Sequence, residues 1–346
     1  MARKNRVELV STGNVVKFPN IEHAAAKRVL VAGGAGFLGS HLCETLLALQ
    51  HEIICVDNLS TGRLENIKPL IGLPGLTFKQ QDVRTPLNVK VDAIFNFASP
   101  ASPPAYQADP IGTLMTNVIG SRNLLELARR RNAVIVQAST SEVYGDPLVS
   151  PQREDYLGNV STTGPRACYD EGKRCAETLY FDYARLYGVK IKVARIFNTY
   201  GPRMRPDDGR VVSNFIVQAL QNAPITVYGS GLQTRSFCYV DDLINGFMRF
   251  LSTADDVVGP INLGNPTELT VIDLAERIIR LTNSRSRIIH LDAAVDDPKQ
   301  RRPDISRAAK LLEWRPRVDV EDGLAATVAY FDSALRRAAT GKLRGD

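Results

Sequence analysis

No Cys-x-x-Cys pair and no zinc-like histidine spacing occurs in this chain of 346 residues, whose five cysteines (Cys43, Cys55, Cys168, Cys175, Cys238) and four histidines are scattered. That absence excludes a structural metal and a disulfide framework, and a reducing compartment is expected. No apolar run reaches the roughly 18 residues that mark a membrane-spanning helix. The N-terminus carries charges without a continuous apolar segment ahead of a cleavage site. A soluble, cytoplasmic protein with no membrane partner is therefore the expectation. Excess charge is scarce too: 43 Lys and Arg stand against 37 Asp and Glu, and much of the surplus sits in the tails "MARKNR" and "RRAATGKLRGD". Without a clustered basic stripe a nucleic-acid partner is excluded, whereas an anionic small molecule is suited. Internal repeats and low-complexity segments are missing as well.

What is present is alternation. "RVLVAGGAGFLGSHLCETLLAL" switches from a buried-strand run to helical spacing at Leu38, Leu42, Leu46 and Leu49, so the fold begins near Lys27, after a flexible extension over residues 1–27. Strand-like runs recur at "EIICV", "LTFKQ", "AIFNFA", "AVIVQA" and "KIKVARIF", with helical stretches around 111–131 and 168–187. This pattern predicts an α/β fold with a doubly wound parallel sheet covered on both faces. Beyond residue 200 the pieces shorten: helices near 211–221, 241–252, 271–282 and 321–337, and a strand at "ITVYG". Residues 28–200 are read as mainly nucleotide-binding and 201–337 as mainly a smaller α/β substrate lobe, some of it crossing back to the sheet. Residues 338–346 form a tail.

"GGAGFLG" places Gly33, Gly36 and Gly39 between a strand and a helix, with Phe37 and Leu38 opening the helix. A pyrophosphate needs backbone N–H groups at a helix N-terminus, and glycine removes the Cβ that would bar its approach. The next strand ends at Asp57, followed by Asn58. A carboxylate there can accept both ribose hydroxyls of an adenosine and repel a 2′-phosphate, so a Rossmann fold taking NAD over NADP is expected. Asp82, with Val83 after it, either caps a turn or reaches the adenine. "YDEGK" then sets Tyr169 and Lys173 four apart on one helix face. A cation beside a phenol favours phenolate, so Tyr169 can take a hydroxyl proton as hydride leaves the same carbon.

In this order the motifs "GGAGFLG", "STSEVYG" and "YDEGK" resemble the extended short-chain dehydrogenase/reductase family across residues 28–335. The blocks "ASPASPP", "STSEVYGDP", "GPRACYDEGKR", "ARIFNTYGPRM", "DGRVVSNF" and "YGSGLQTRSF" are similar to its UDP-glucuronate decarboxylases. "NVSTTG" at 159–164 departs from the pattern, in a loop. The resemblance implies oxidation of a UDP-sugar at C4 by bound NAD+, loss of the C6 carboxylate into the resulting ketone, and return of the hydride. It implies Tyr169, Lys173, Thr140, Ser141, Glu142 and Arg301 as the catalytic set. Thr140 would hydrogen-bond the 4-oxygen, while Ser141 and Glu142 orient the C6 end or relay a proton to C5. Related 4,6-dehydratases carry an Asp where Ser141 stands, to protonate a departing C6 hydroxyl, a task that loss of CO2 does not require. Thr116 and Thr199 join the implied cofactor contacts. Asn198, Arg210, Asn214, Tyr228, Gln233, Arg235 and Arg301 are the implied substrate contacts, although Asn214 can instead cap its helix and Tyr228 can be core. A homodimer through the helices at 111–131 and 168–187 is also implied. The alternatives are a nucleotide-sugar 4-epimerase or 4,6-dehydratase, a decarboxylase releasing the 4-keto pentose or making a branched sugar, and a regulatory NAD-sensing module without turnover.

Overall fold

A computed structural model describes residues 27–292 and 300–342 of the chain. Apart from Lys27, the expected N-terminal extension lies outside the described residues, as does the end of the tail. Strands β1 (Arg28–Ala32), β2 (Glu52–Asp57), β3 (Leu76–Gln80), β4 (Ala93–Asn96), β5 (Val134–Thr140) and β6 (Ile191–Ile196) form a sheet with the later strand Ile261–Leu263. Its order is β3-β2-β1-β4-β5-β6 and then Ile261–Leu263. Every pairing in it is parallel. Such strands must be apolar on both sides, because helices cover both faces. Val29, Val31, Phe95 and Val136 pack with helix α1 (Phe37–Ala48) and the Val240–Leu251 helix. Leu30, Ile94 and Ile135 face Leu124, Leu127 and Tyr180, from the helices Ser121–Arg131 and Ala167–Tyr187.

The strand order reverses at β1, which pairs with β2 on one side and β4 on the other. Doubly wound sheets bind ligands in the crevice at the carboxyl ends of the strands flanking such a switch. The segment expected as one helix over 111–131 runs as Pro110–Met115, a wider π turn at Thr116–Gly120, and Ser121–Arg131. The later helices stand at Val211–Leu220, Val240–Leu251, Val271–Thr282 and Val320–Lys342. Ile261–Leu263 brings the second half back to the sheet; its three residues are too short a run for any alternation to register.

The second half builds a third core from Phe215, Ile216, Val227, Leu274, Ile278 and Phe331. Beside it the strand Thr234–Ser236 pairs with Glu268–Thr270 on one side and Gln300–Arg301 on the other, setting Arg301 opposite Arg235. That register carries a cation from far down the chain to the carboxyl end of β5.

Candidate active site

The glycine loop is shaped by close approach. Gly33 adopts φ +75°, and a Cβ there would lie 2.7 Å from the carbonyl carbon of Phe97. At Gly39 a Cβ would fall 2.1 Å from the Gly33 carbonyl oxygen, so helix α1 rests directly on the loop. Gly36 is the N-cap of α1, with Phe37 and Leu38 in its first turn. Asp57 is 7% exposed at the end of β2 and accepts the backbone N–H groups of Ala35 (3.0 Å) and Leu59 (2.8 Å). A turn stripped of Cβ atoms at a helix N-terminus, with a carboxylate at the next strand end, fits a dinucleotide.

Asp82 makes local bonds in the turn after β3. Its carboxylate accepts the Arg84 backbone N–H at 2.8 Å and pairs with the Arg84 guanidinium, which with the Asn58 amide holds it down at about 2. Val83 packs under the π turn, where a Cβ on Gly120 would lie 2.7 Å from its methyl. Thr116 opens that turn and donates to the Gly112 carbonyl at 2.7 Å. Thr199, buried, donates to the Phe197 carbonyl at 2.9 Å.

At the reaction end, Thr140 is the last residue of β5 and the N-cap of a short 3₁₀ turn, Ser141–Tyr144. Its hydroxyl accepts the Glu142 backbone N–H at 3.2 Å and hydrogen-bonds the Tyr169 phenol. Ser141 is buried beside it. Tyr169 is 7% exposed and stacks on Tyr106 with ring centroids 5.2 Å apart and planes 6° from parallel. Lys173 places its Nζ 5.8 Å from the Tyr169 ring centroid and donates to the Ala138 carbonyl at 2.9 Å. Burial brings the Lys173 ammonium down to about 8, against the opposing charge of Glu177 one turn on.

The expectation that Lys173 draws the phenol toward phenolate meets a stronger effect. Burial pushes Tyr169 upward, Glu142 and Asp170 add to that, and the Thr140 hydroxyl and Arg210 pull against it. Lys173 itself is committed to the Ala138 backbone carbonyl.

Glu142 is the electrostatic centre. Arg301 grips both its oxygens, Nη2 to Oε2 at 2.7 Å, and Arg166 Nη2 reaches Oε2 at 2.5 Å. Burial alone would raise this carboxyl, but the two guanidiniums outweigh it and hold Glu142 below the usual carboxylate range. An ionised carboxylate so held orients cations and is a poor proton donor. Arg166 and Tyr106 were not among the expected site residues. Arg166 precedes Tyr169 by three residues, a same-face helical spacing that could have flagged it. Nothing local marks Tyr106.

Of the expected sugar-nucleotide residues, Arg301 is 7% and Arg235 8% exposed, facing one another in register. Arg210 pairs with Asp208 and stands 5.9 Å over the Phe37 ring, bridging the second half to the glycine loop. Asn214 donates to the Gly209 carbonyl at 3.2 Å, a local bond before the Val211–Leu220 helix. Tyr228 is 50% exposed, which removes it from the core, and its carbonyl accepts the Gln233 amide at 2.8 Å. The Asn198 carbonyl accepts the Cys238 N–H at 2.9 Å, tying the segment after β6 to the strand Cys238–Tyr239.

Residues 29–264 match the NAD dependent epimerase/dehydratase family. UDP-glucuronic acid decarboxylase 1 of Danio rerio is 51% identical over 94% of this chain and 78% of that protein. The chain belongs to this family. UDP-glucuronic acid decarboxylase 3 of Arabidopsis thaliana is 52% identical, covering 86% of each chain. Among solved structures, the UDP-glucuronic acid 4-epimerase of Bacillus cereus, in complex with UDP-glucuronic acid and NAD, matches with a TM-score of 0.80 at 29% identity. That match covers 89% of this chain and 99% of the other. NAD is the cofactor of this family.

Proposed function

We propose that this protein converts UDP-glucuronate to UDP-xylose and CO2, with bound NAD+ restored in each cycle. The observation that carries the reading is the Arg301–Glu142–Arg166 cluster beside Tyr169 and Thr140. A sugar carboxylate needs cations to receive it, yet those cations must not bind it so firmly that CO2 cannot leave. Glu142 supplies that compromise by sharing the two guanidiniums with the substrate.

NAD+, when bound, would supply the hydride acceptor for C4. Tyr169 takes the proton of the sugar's 4-hydroxyl while Thr140 holds the same oxygen, and Lys173 carries charge beneath the pair. Once C4 is a ketone, the C6 carboxylate is β to a carbonyl, and the electrons released with CO2 spread into that ketone as an enolate. Tyr169 and Thr140 remain placed to hydrogen-bond the enolate oxygen; the enolate then takes a proton at C5, C4 regains its hydride, and Tyr169 returns its proton to the 4-oxygen, giving UDP-xylose. Ser141 borders the C6 end. Residues 28–200 mainly hold the cofactor and 201–337 mainly the nucleotide sugar, with Asn198, Arg210, Asn214, Tyr228, Gln233 and Arg235 lining the UDP side.

Incubation with UDP-glucuronic acid and NAD+ tests the reading. CO2 and UDP-xylose without net NADH support it; UDP-galacturonic acid overturns it in favour of epimerisation. A homodimer belongs to the same proposal. Ile111 (74% exposed), Ile119 and Leu186 (73%) lie on the helical segments 110–131 and 167–187, an apolar face suited to a second copy. Light scattering that returns a monomer at micromolar concentration refutes it. All five cysteines are free, which supports work in the reducing cytoplasm, and among the described residues no helix is long and apolar enough to cross a membrane.

A further inference from the structure

Three polar atoms near Tyr169 are buried and meet no hydrogen-bond partner among the described residues: Tyr106 Oη, Asp170 Oδ1 and Arg301 Nε. Asp170 belongs to the Glu142 cluster. It is 6% exposed, and its second oxygen lies 3.9 Å from Arg166 Nε, so Arg166 stands between two carboxylates. Glu142 with Arg301 and Arg166 carries one surplus positive charge. An ionised Asp170 cancels that surplus, whereas a protonated Asp170 leaves it for a ligand.

We propose that Asp170 is the charge-balancing residue of the site, keeping its proton while an acidic sugar lies against Arg301 and Arg166. It thereby couples binding of a carboxylated nucleotide sugar, but not of its decarboxylated product, to uptake of a proton. The proposal rests on the decarboxylase reading for the identity of the sugar. Asp170 is a positioning residue that acts through Arg166.

The groups facing Asp170 bear this out. Glu142 comes from the turn after β5, Arg301 from the Gln300–Arg301 strand, and Arg166 and Glu171 from around its own helix. Tyr106 comes from the Pro103–Ala108 helix, with Cys168 and Tyr169 alongside. These last three are all pushed upward, mainly by burial. Burial first, then the charge of Glu142, raises the Asp170 carboxyl to about 7 against the pull of both arginines. A substrate carboxylate adds another negative charge beside it and raises it further. UDP-xylose adds none.

The sign follows. Asp170 is protonated below about pH 7, so affinity for the acidic ligand is full there and is lost as pH rises, approaching about tenfold per pH unit.

Titration calorimetry of the NADH-loaded full chain, which cannot take hydride from the sugar, reads the coupling directly. Measured in phosphate and in Tris buffer at pH 7, UDP-glucuronate should take up a fraction of a proton and UDP-xylose none. The dissociation constant for UDP-glucuronate should rise roughly ten- to thirtyfold from pH 6.5 to 8.5, and Asp170→Asn should remove both effects. Equal proton uptake for the two sugars, uptake that persists in Asp170→Asn, or a wild-type rise under twofold overturns the proposal. The wild-type series stands even if the variant fails to fold. Decarboxylation is read separately as CO2, so a chain that releases CO2 yet takes up no proton refutes the Asp170 proposal alone.

Discussion

Replacing Glu142 by Gln removes one charge and leaves the shape. In the wild type the carboxylate accepts two hydrogen bonds from Arg301 and one from Arg166. Without it, Arg301, its side chain 8% exposed, loses its counterion, and Arg166, 20% exposed, keeps only Asp170 at 3.9 Å. Breaking a buried ion pair costs about 3–5 kcal/mol, and the partial exposure of Arg166 argues for the low end. A fall in Tm of roughly 4–7 °C is expected. The kinetic consequence is more specific. The freed guanidiniums turn to the substrate carboxylate and add about two charge-assisted hydrogen bonds to the ground state, each worth roughly 1.5–3 kcal/mol. Those bonds are lost as CO2 departs, so the barrier rises by about 3 kcal/mol and kcat falls on the order of 10²-fold. KM should fall or hold. The assay is release of label from carboxyl-labelled UDP-glucuronate, with kcat and KM resolved and Tm measured on the same preparation. A kcat within threefold of wild type, or a tenfold rise in KM at unchanged kcat, refutes the idea that Glu142 competes with the substrate for the two arginines.

Tyr169→Phe should lower CO2 release on the order of 10²- to 10⁴-fold while leaving NAD binding intact; labelled CO2 and cofactor fluorescence read the two separately. Asp57→Ala should weaken NAD binding and narrow the gap between NAD and NADP, measured as the ratio of their dissociation constants. Lys173 is charged only below about pH 8, so kcat should decline as pH rises through that value, and Lys173→Arg should move the decline to higher pH. Gly39→Ala should abolish cofactor binding or folding, because a Cβ there would meet the Gly33 carbonyl oxygen at 2.1 Å; thermal shift with and without NAD checks it.

The cofactor end was legible because its chemistry is local: glycines at a strand-to-helix turn, an acid at the next strand end, and a tyrosine four residues ahead of a lysine on one helix. Each is a short-range spacing that survives translation into geometry, and the sheet that carries them announces itself in apolar runs. Asp82 and Asn214 were less legible. Each can serve a ligand or a local bond, and the fold gives each a local bond, the Arg84 N–H to Asp82 and Asn214 to the Gly209 carbonyl, that spacing alone does not announce.

The order of elements, the glycine loop and the Tyr169–Lys173 pair were set by the sequence alone, since helix and strand periodicity place residues a few positions apart without outside help. The charge of the catalytic centre was not. Glu142 and Arg301 are 159 residues apart and meet because the Gln300–Arg301 strand lies beside Thr234–Ser236. Likewise, the tuning of Tyr169, Lys173 and Asp170 comes mainly from burial, which only the packed chain supplies.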